Sequence, residues 1–466
     1  MSFFSKAPAA PLKGWSEEEK KKRFKRMQWS TFIAITLGYS MYYVCRTGLN
    51  VVKKPIMDAG ILDATQLGLI SSALLFTYAI GKLINGFLAD HSNIKRFMAT
   101  GLLLSTIANV VVGLLGLITV KTMAISITAF YLVFAFMWAI NGWSQSMGAP
   151  PSVVALSRWC AKSNRGTFYG FWSLSHNLGE GLSFVFVGAV VSASAWYFGL
   201  IGAAIAGIIG VVIILLMLHD SPEAMGLPPV AVLAGEEPEA EAQKDKSVGK
   251  AQMGVLKNPY VWVLAMASAF MYVSRYAVNG WGVPFLQEKG FSLAEASYII
   301  SINAIFGIIG TVCSGWLSDT LFKGNRYIPA VIAGLLEVLA LFLFAFGGNA
   351  AWMNILAMVI FGVAIGILIC FLGGLMAVDI VPREASGAAL GVVGVASYAG
   401  AGLQDIISGH LINANKVLIS APGEPELYQY DFHAALWLWI AAAALSVLLV
   451  CVVWHKAAQN KKGDKR

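Results

Sequence analysis

Charge is scarce in this chain. Asp, Glu, Lys and Arg make up 12% of its 466 residues, where a soluble globular domain carries roughly 25%. With 58% hydrophobic residues and a mean hydropathy of +0.69, the shortage excludes an ordinary soluble protein. Cysteine is scarce as well. Cys45, Cys160, Cys313, Cys370 and Cys451 are scattered, with no Cys-x-x-Cys pair or His/Cys cluster, so no disulfide framework and no metal site is expected. No nucleotide-binding or catalytic motif occurs, so the reading is not an enzyme and needs no cofactor. Residues 1–28 lack an apolar core followed by a small-residue cleavage site and read as a cytoplasmic tail, not a signal peptide.

What is present is a series of long apolar runs. A helix needs about 20 apolar residues to cross a bilayer. Twelve runs qualify, near 29–52, 66–90, 97–118, 123–147, 166–192, 195–218, 258–287, 294–318, 327–347, 353–378, 386–412 and 431–455. The net charge of +8 is distributed as membrane topology requires, so no nucleic-acid partner is implied. With the N-terminus cytoplasmic, 25 Lys and Arg residues fall on the cytoplasmic side and three, Arg46, Lys82 and Arg275, inside spans. Only five, Lys53, Lys54, Lys121, Lys289 and Lys416, fall on the other side. That bias predicts a multi-pass protein of the inner (plasma) membrane with both termini cytoplasmic. The expected organisation is an N-terminal tail (1–28), a six-helix bundle (29–218), a cytoplasmic loop (219–257), a second six-helix bundle (258–455) and a C-terminal tail (456–466). The tail sequence WSEEEKKKRFKRMQW is read either as a short helix on anionic lipid or as a solvated tail.

The two bundles repeat each other. GFLADHSNIKR (86–96) and GWLSDTLFKGNR (315–326) share Gly-x-x-small-Asp followed by basic residues. Asp90 and Asp319 stand 229 positions apart, as do Arg46 and Arg275, and Tyr43 and Tyr272. Parallel repeats of this kind are related by an axis along the membrane normal, with the substrate site near mid-membrane at their interface. Arg46 and Arg275 then face a shared cavity. A charge at mid-membrane costs several kcal/mol, and two guanidinium groups there repel each other unless an anion lies between them. Guanidinium forks two donors onto phosphate oxygens, so the pair points to a phosphate-sized anion. The competing reading is a permanent ion pair with an intramembrane acid, for which Glu180, Glu337 and Asp405 are available.

The segments GYSMYYVCRTGLN, TYAIGKLINGFLADHSN (77–93), GTFYGFWSLSHNLGEG (166–181) and NPYVWVLAMASAFMYVSRYAVNGW (258–281) resemble the organophosphate:phosphate antiporter family of the major facilitator superfamily. That family includes glycerol-3-phosphate and hexose-6-phosphate transporters. The resemblance covers nearly the whole chain, and the Trp-x-x-x-His-Asn-x-Gly string beside an Arg-Gly loop is its most distinctive part. It implies an all-α fold of 12 transmembrane helices in two pseudo-symmetric halves, working by alternating access, with organic and inorganic phosphate as exchanged substrates; a monomer is the default expectation for two fused halves. It implies phosphate binding by Arg46 and Arg275, a cavity role for His176 and Lys82, and a pathway lined by Tyr39, Tyr43 and Tyr272. The chain departs from the family pattern at Ala149, at Ala304, at Glu180 (a frequent glycine) and in ILICFLGG (367–374). A sensor-like branch of the family shares most of these motifs, so a sugar-phosphate receptor stays open. So does a proton-coupled anion facilitator using Glu180 or Asp405. These two acids are read as conformational salt-bridge partners or proton carriers. Asp90 with Lys95 and Arg96, and Asp319 with Lys323 and Arg326, are read as latches at the cytoplasmic ends.

Overall fold

The computed structural model describes residues 3–12, 14–122, 125–236, 253–323, 325–381, 385–421 and 426–463, without the side chains of Asp319 and 456–463. The N-terminal half contains α1 (Glu17–Asp58), α2 (Ala64–Asp90), α3 (Ile94–Thr122), α4 (Ile127–Gln145), α5 (Ala149–Trp159), α6 (Lys162–Ala193) and α7 (Trp196–Met217). The C-terminal half contains α8 (Pro259–Glu288), α9 (Leu293–Trp316), α10 (Tyr327–Phe346), α11 (Ala351–Cys370), α12 (Ser386–Ala414) and α13 (His433–Gly463). A two-stranded antiparallel hairpin, β1 (Lys416–Leu418) with β2 (Tyr428–Tyr430), links α12 to α13. Eleven helical segments among the described residues are long and apolar enough to cross a membrane, with α4 and α5 acting as one. The remaining expected span, 29–52, lies within α1.

Two helix boundaries differ from the sequence expectation. The charged tail does not end in a separate short helix. Ser16 and Glu19 form a capping box, and α1 runs from there through the first span without interruption. The fourth span breaks at 146–148 and restarts as α5, where Pro150 and Pro151 occupy the first turn, which tolerates residues lacking an N–H. Its counterpart, α11, ends in a π-turn at Phe371–Leu375.

The repeat is visible in local detail. Asp63 and Gln66 cap α2 as Ser292 and Glu295 cap α9, both pairs 229 positions apart. Pro55 in α1 and Pro284 in α8 keep the same spacing. The halves meet where α2 packs on α12, α6 on α9 and α1 on α8.

The ends of α1 and α8 and the start of α13 lie together, joined by the Lys54–Glu288 ion pair at 3.1 Å and by Phe285 against Phe432. Call this the far end; the start of α1 and the end of α13 lie opposite, at the terminal end. The far end is shut. Small residues let the backbones touch there, as is common in helix packing within lipid. A methyl on Gly68 of α2 would come within 2.3 Å of the Asp405 carbonyl oxygen on α12, and one on Gly188 within 2.7 Å of Ser297. Ser72 also donates to the Gly402 carbonyl across the halves at 2.7 Å. At the terminal end the same four helices stand apart: methyls on Gly86, Gly170, Gly315 and Gly391 would meet nothing within 4 Å. The molecule is therefore open toward its termini.

The expected latches take a different form. Asp90 makes no ion pair among the described residues. Instead Arg158 bonds Asp220 at 2.6 Å, and Asp220 also accepts from the backbone N–H groups of Ile94 and Ala7. The short, buried Asp220 satisfies three donors at once, whereas Asp90 is solvent-exposed. In the C-terminal half Arg326 pairs with Asp379 at 2.5 Å. The Asp319 side chain lies outside the described residues.

Candidate functional site

Arg46 sits about two thirds of the way along α1 and is 5% exposed. The neighbouring helices fix its backbone. The Cys45 carbonyl accepts from Asn109 of α3 at 2.8 Å and from Asn141 of α4 at 3.1 Å. The Tyr42 carbonyl accepts from Gln145 at 2.9 Å. These amides add bonds to carbonyls already inside a helix, so α1 is held against α3 and α4 just where the arginine leaves it. In the second half Ser274, the counterpart of Cys45, donates to buried Glu337 of α10. Glu337 is thus held by a hydroxyl and is not the partner of either arginine.

The guanidinium of Arg46 is enclosed by aromatic rings. Its Cζ lies 4.7 Å from the ring centre of Tyr78, 5.5 Å from Tyr43, 5.6 Å from Tyr276 and 5.7 Å from Tyr398. These rings come from α1, α2, α8 and α12, that is, from both halves. Nη2 donates to the Tyr276 hydroxyl at 2.6 Å. Among the described residues Arg46 has no carboxylate partner. Cation–π contacts of this kind stabilise a cation by about 0.5–2 kcal/mol each, without cancelling its charge.

Arg275 of α8 is placed differently. Its Cζ lies 5.5 Å from the same Tyr276 ring, so the two guanidinium carbons are at most about 11 Å apart. Its Nη2 pairs with Glu180 of α6 at 3.3 Å, and Asn279 donates to the other Glu180 oxygen at 2.7 Å. The sequence argument favoured two unpaired arginines over a permanent ion pair with an acid such as Glu180; the structure pairs one of them, Arg275, with that acid. Thr47 and Tyr276, and Glu180 with its neighbours, break the two-fold symmetry around the pair.

The cavity between the halves is lined by Tyr43, Arg46, Asn50, Glu180, Tyr276, Asn279 and Asp405, among others. His176, half-buried on α6, packs its ring on Tyr43, which in turn meets Tyr39. Tyr272 stacks on Tyr276 and meets Tyr398 edge-on. Lys82, exposed toward the open end, has Nζ 5.6 Å from the Tyr398 ring and no ion pair among the described residues. Arg46, Arg275, His176, Lys82, Tyr39, Tyr43 and Tyr272 are thus linked by ring contacts into one cluster, of which Tyr43 and Arg46 line the cavity. Asp90 lies apart from it, at the last residue of α2.

Sequence reasoning missed several members. Tyr78 and Tyr276 lie inside the segments that carry the family resemblance but were given no role, and Tyr398 lies outside them. Asn50 and Asn279 did have a signal, the same spacing of 229. Lys53 was assigned to a far-side loop. It is instead fully buried, with Nζ 3.3 Å from Asp405 of α12 and 4.0 Å from the Trp281 ring centre. Trp281 Nε1 donates to Asp405 as well, at 2.9 Å. Asp405 therefore has a cation partner in the opposite half.

Three comparisons agree with this picture. The Major Facilitator Superfamily model matches residues 35–404. A probable hexose phosphate transport protein of Chlamydia trachomatis is 30% identical, over 97% of each chain. A membrane sensor protein, UhpC of Salmonella typhimurium, is 32% identical over 86% of this chain and 89% of its own. Among solved structures, a bacterial homologue of the lysosomal transporter Spinster, inward-facing and unoccupied, superposes with a TM-score of 0.67 at 18% identity. It covers 93% of this chain and 96% of its own, and shows the fold alone. The chain belongs to the major facilitator superfamily and, within it, to the organophosphate:phosphate antiporter family, a family of transporters rather than enzymes.

Proposed function

We propose that the protein exchanges a sugar phosphate or glycerol phosphate for inorganic phosphate, binding the phosphate at Arg46 and Arg275. The observation that carries this reading is Arg46: a buried cation without a carboxylate, facing a cavity between two halves and ringed by tyrosines from both. An unanswered charge in a membrane interior marks a ligand site. A phosphate bound at Arg46 also reaches the N–H donors of Arg275 that Glu180 leaves free. One ligand then bridges α1 and α8 and draws the halves together at the terminal end. Tyr39, Tyr43, Tyr272 and His176 supply hydroxyl and ring contacts, and Lys82 attracts anions at the mouth. The ligand must bind the closed state more tightly than either open state to promote the crossing. Without it the cavity keeps its excess positive charge, and the empty carrier turns over slowly.

The distribution of Lys and Arg supports placing both termini in the cytoplasm, with the structure facing inward, and two fused halves make a monomer the default. Bacterial relatives support the inner membrane. The kinship with a protein named as a sensor supports a second reading, a receptor that binds a sugar phosphate without moving it. Purified protein in liposomes separates the two. Labelled phosphate should enter vesicles preloaded with phosphate, glycerol 3-phosphate or glucose 6-phosphate and not enter empty ones. No uptake under any preload, with binding retained, refutes exchange in favour of the receptor.

A further inference from the structure

We infer that Glu180 sets the chemistry of the organic group. It admits phosphates that carry hydroxyl or ammonium groups and turns away those with a second acidic group. The inference rests on the phosphate-exchange reading above.

Glu180 lines the same cavity as Arg46, and its side chain is 6% exposed. Its position is fixed twice over. Oε2 lies 3.3 Å from Arg275, and Oε1 accepts from Asn279 at 2.7 Å. Asn279 is itself oriented, because its carbonyl oxygen accepts from Asn303 of α9 at 3.2 Å, which leaves its NH2 for Glu180. The backbone is equally constrained. A methyl on Gly179 would come within 2.4 Å of the Ser40 carbonyl of α1, and one on Gly181 would touch Ala304 of α9 at 3.6 Å. The segment of α6 that bears Glu180 is wedged between the halves, and the carboxylate cannot retreat by a small helix shift.

The charges decide what this carboxylate does. Two acids line the cavity, Glu180 and Asp405. Asp405 has its own cation in Lys53, which pairs with no other carboxylate among the described residues. Glu180 shares Arg275 with any incoming phosphate. Arg46, Arg275 and Glu180 together carry one net positive charge, which a phosphate dianion already exceeds. A carboxylate carried on the ligand in addition to its phosphate would approach Glu180, whose one cation, Arg275, is already shared with the phosphate; Lys82 lies toward the open end against Tyr398, and like charges at such distances are strongly disfavoured. A ligand hydroxyl instead donates to Glu180. An ionised carboxylate offers about four acceptor positions, and Arg275 and Asn279 take only two of them. A ligand ammonium donates in the same place and adds a favourable charge.

The test measures inhibition of labelled-phosphate exchange in phosphate-loaded liposomes by glucose 6-phosphate, glucosamine 6-phosphate, 3-phosphoglycerate and phosphoenolpyruvate. In the wild type the two sugar phosphates should inhibit at concentrations roughly tenfold or more below the two acids. Glu180→Gln keeps the hydrogen-bonding shape without the charge. It should shrink that ratio by about tenfold and weaken glucosamine 6-phosphate relative to glucose 6-phosphate. Glu180→Asp keeps the charge and should keep the discrimination, which preserves the test if the glutamine variant fails to fold. Equal inhibition by acids and sugars in the wild type, or an unchanged ratio in Glu180→Gln, overturns the inference while phosphate exchange stands. Absence of phosphate exchange and binding in the wild type removes the underlying functional reading as well.

Discussion

Neutralising Asp405 should open the far end. Asp405 and Lys53 lie in opposite halves, with side chains 5% and 0% exposed. In Asp405→Asn the ammonium keeps only the Trp281 face, 4.0 Å away, and an amide oxygen. Removing one partner of a buried pair costs about 3–5 kcal/mol, because the remaining charge stays desolvated. Here the cost falls on the conformer in which the halves touch at the far end. Once they part, water reaches Lys53. The balance between the two open states therefore shifts toward the far-open form by about two to three and a half orders of magnitude. The assay is labelling of Asn50→Cys, in a background without the native cysteines, by an impermeant thiol reagent supplied from the far side. Asn50 lines the cavity just inside the closed end. Labelling should be slow in the parent and fast in Asp405→Asn. In Lys53→Met/Asp405→Asn it should be slow again, since no unpaired charge remains. Labelling at the parental rate in Asp405→Asn, or no recovery in the double variant, refutes the idea that this pair holds the far end shut.

Gly391 lines an apolar cavity at the terminal end beside Leu83 and Phe87, with open space where a side chain would sit. Gly391→Leu should fold normally, with a thermal midpoint near the parent's, yet lose roughly tenfold or more in exchange, because closure of that end is obstructed. A variant with full exchange would show that the cleft need not close there. Glu337 accepts from a serine hydroxyl and has no cation partner among the described residues. Glu337→Gln should therefore cost no more than about 1 kcal/mol of stability, read by thermal unfolding; a loss of several kcal/mol would show that its charge matters.

Much of the fold was legible in the sequence because membrane physics leaves so few choices. Apolar length gave the spans, and the repeat at one spacing gave the two halves. The residues that carry the cavity were legible where charge was out of place, as with Arg46, Arg275 and Lys82. Lys53 was misread for a physical reason. It lies near the end of its span, where a lysine is usually topology charge, and only the packing of α12 against α2 and α8 brings Asp405 to it. The tyrosine cage was invisible for a related reason. Tyrosine near a membrane is common at the interfaces, and only the crossing of four helices shows that Tyr78, Tyr276 and Tyr398 converge on one guanidinium. The pairing of Arg275 with Glu180 depended on which acid of several the fold would bring close, and spacing along a chain does not carry that information.

Equilibrium binding of labelled phosphate to the purified wild type, Arg46→Lys and Arg275→Lys tests the central claim most directly, with helical content monitored to confirm folding. Lysine keeps the positive charge but lacks the forked donors. Binding in the wild type should be displaced by glucose 6-phosphate or glycerol 3-phosphate. It should weaken by roughly tenfold or more in each variant, and more in Arg46→Lys, whose arginine has no carboxylate partner among the described residues. Wild-type affinity in both lysine variants would contradict the account, and phosphate would then be bound elsewhere.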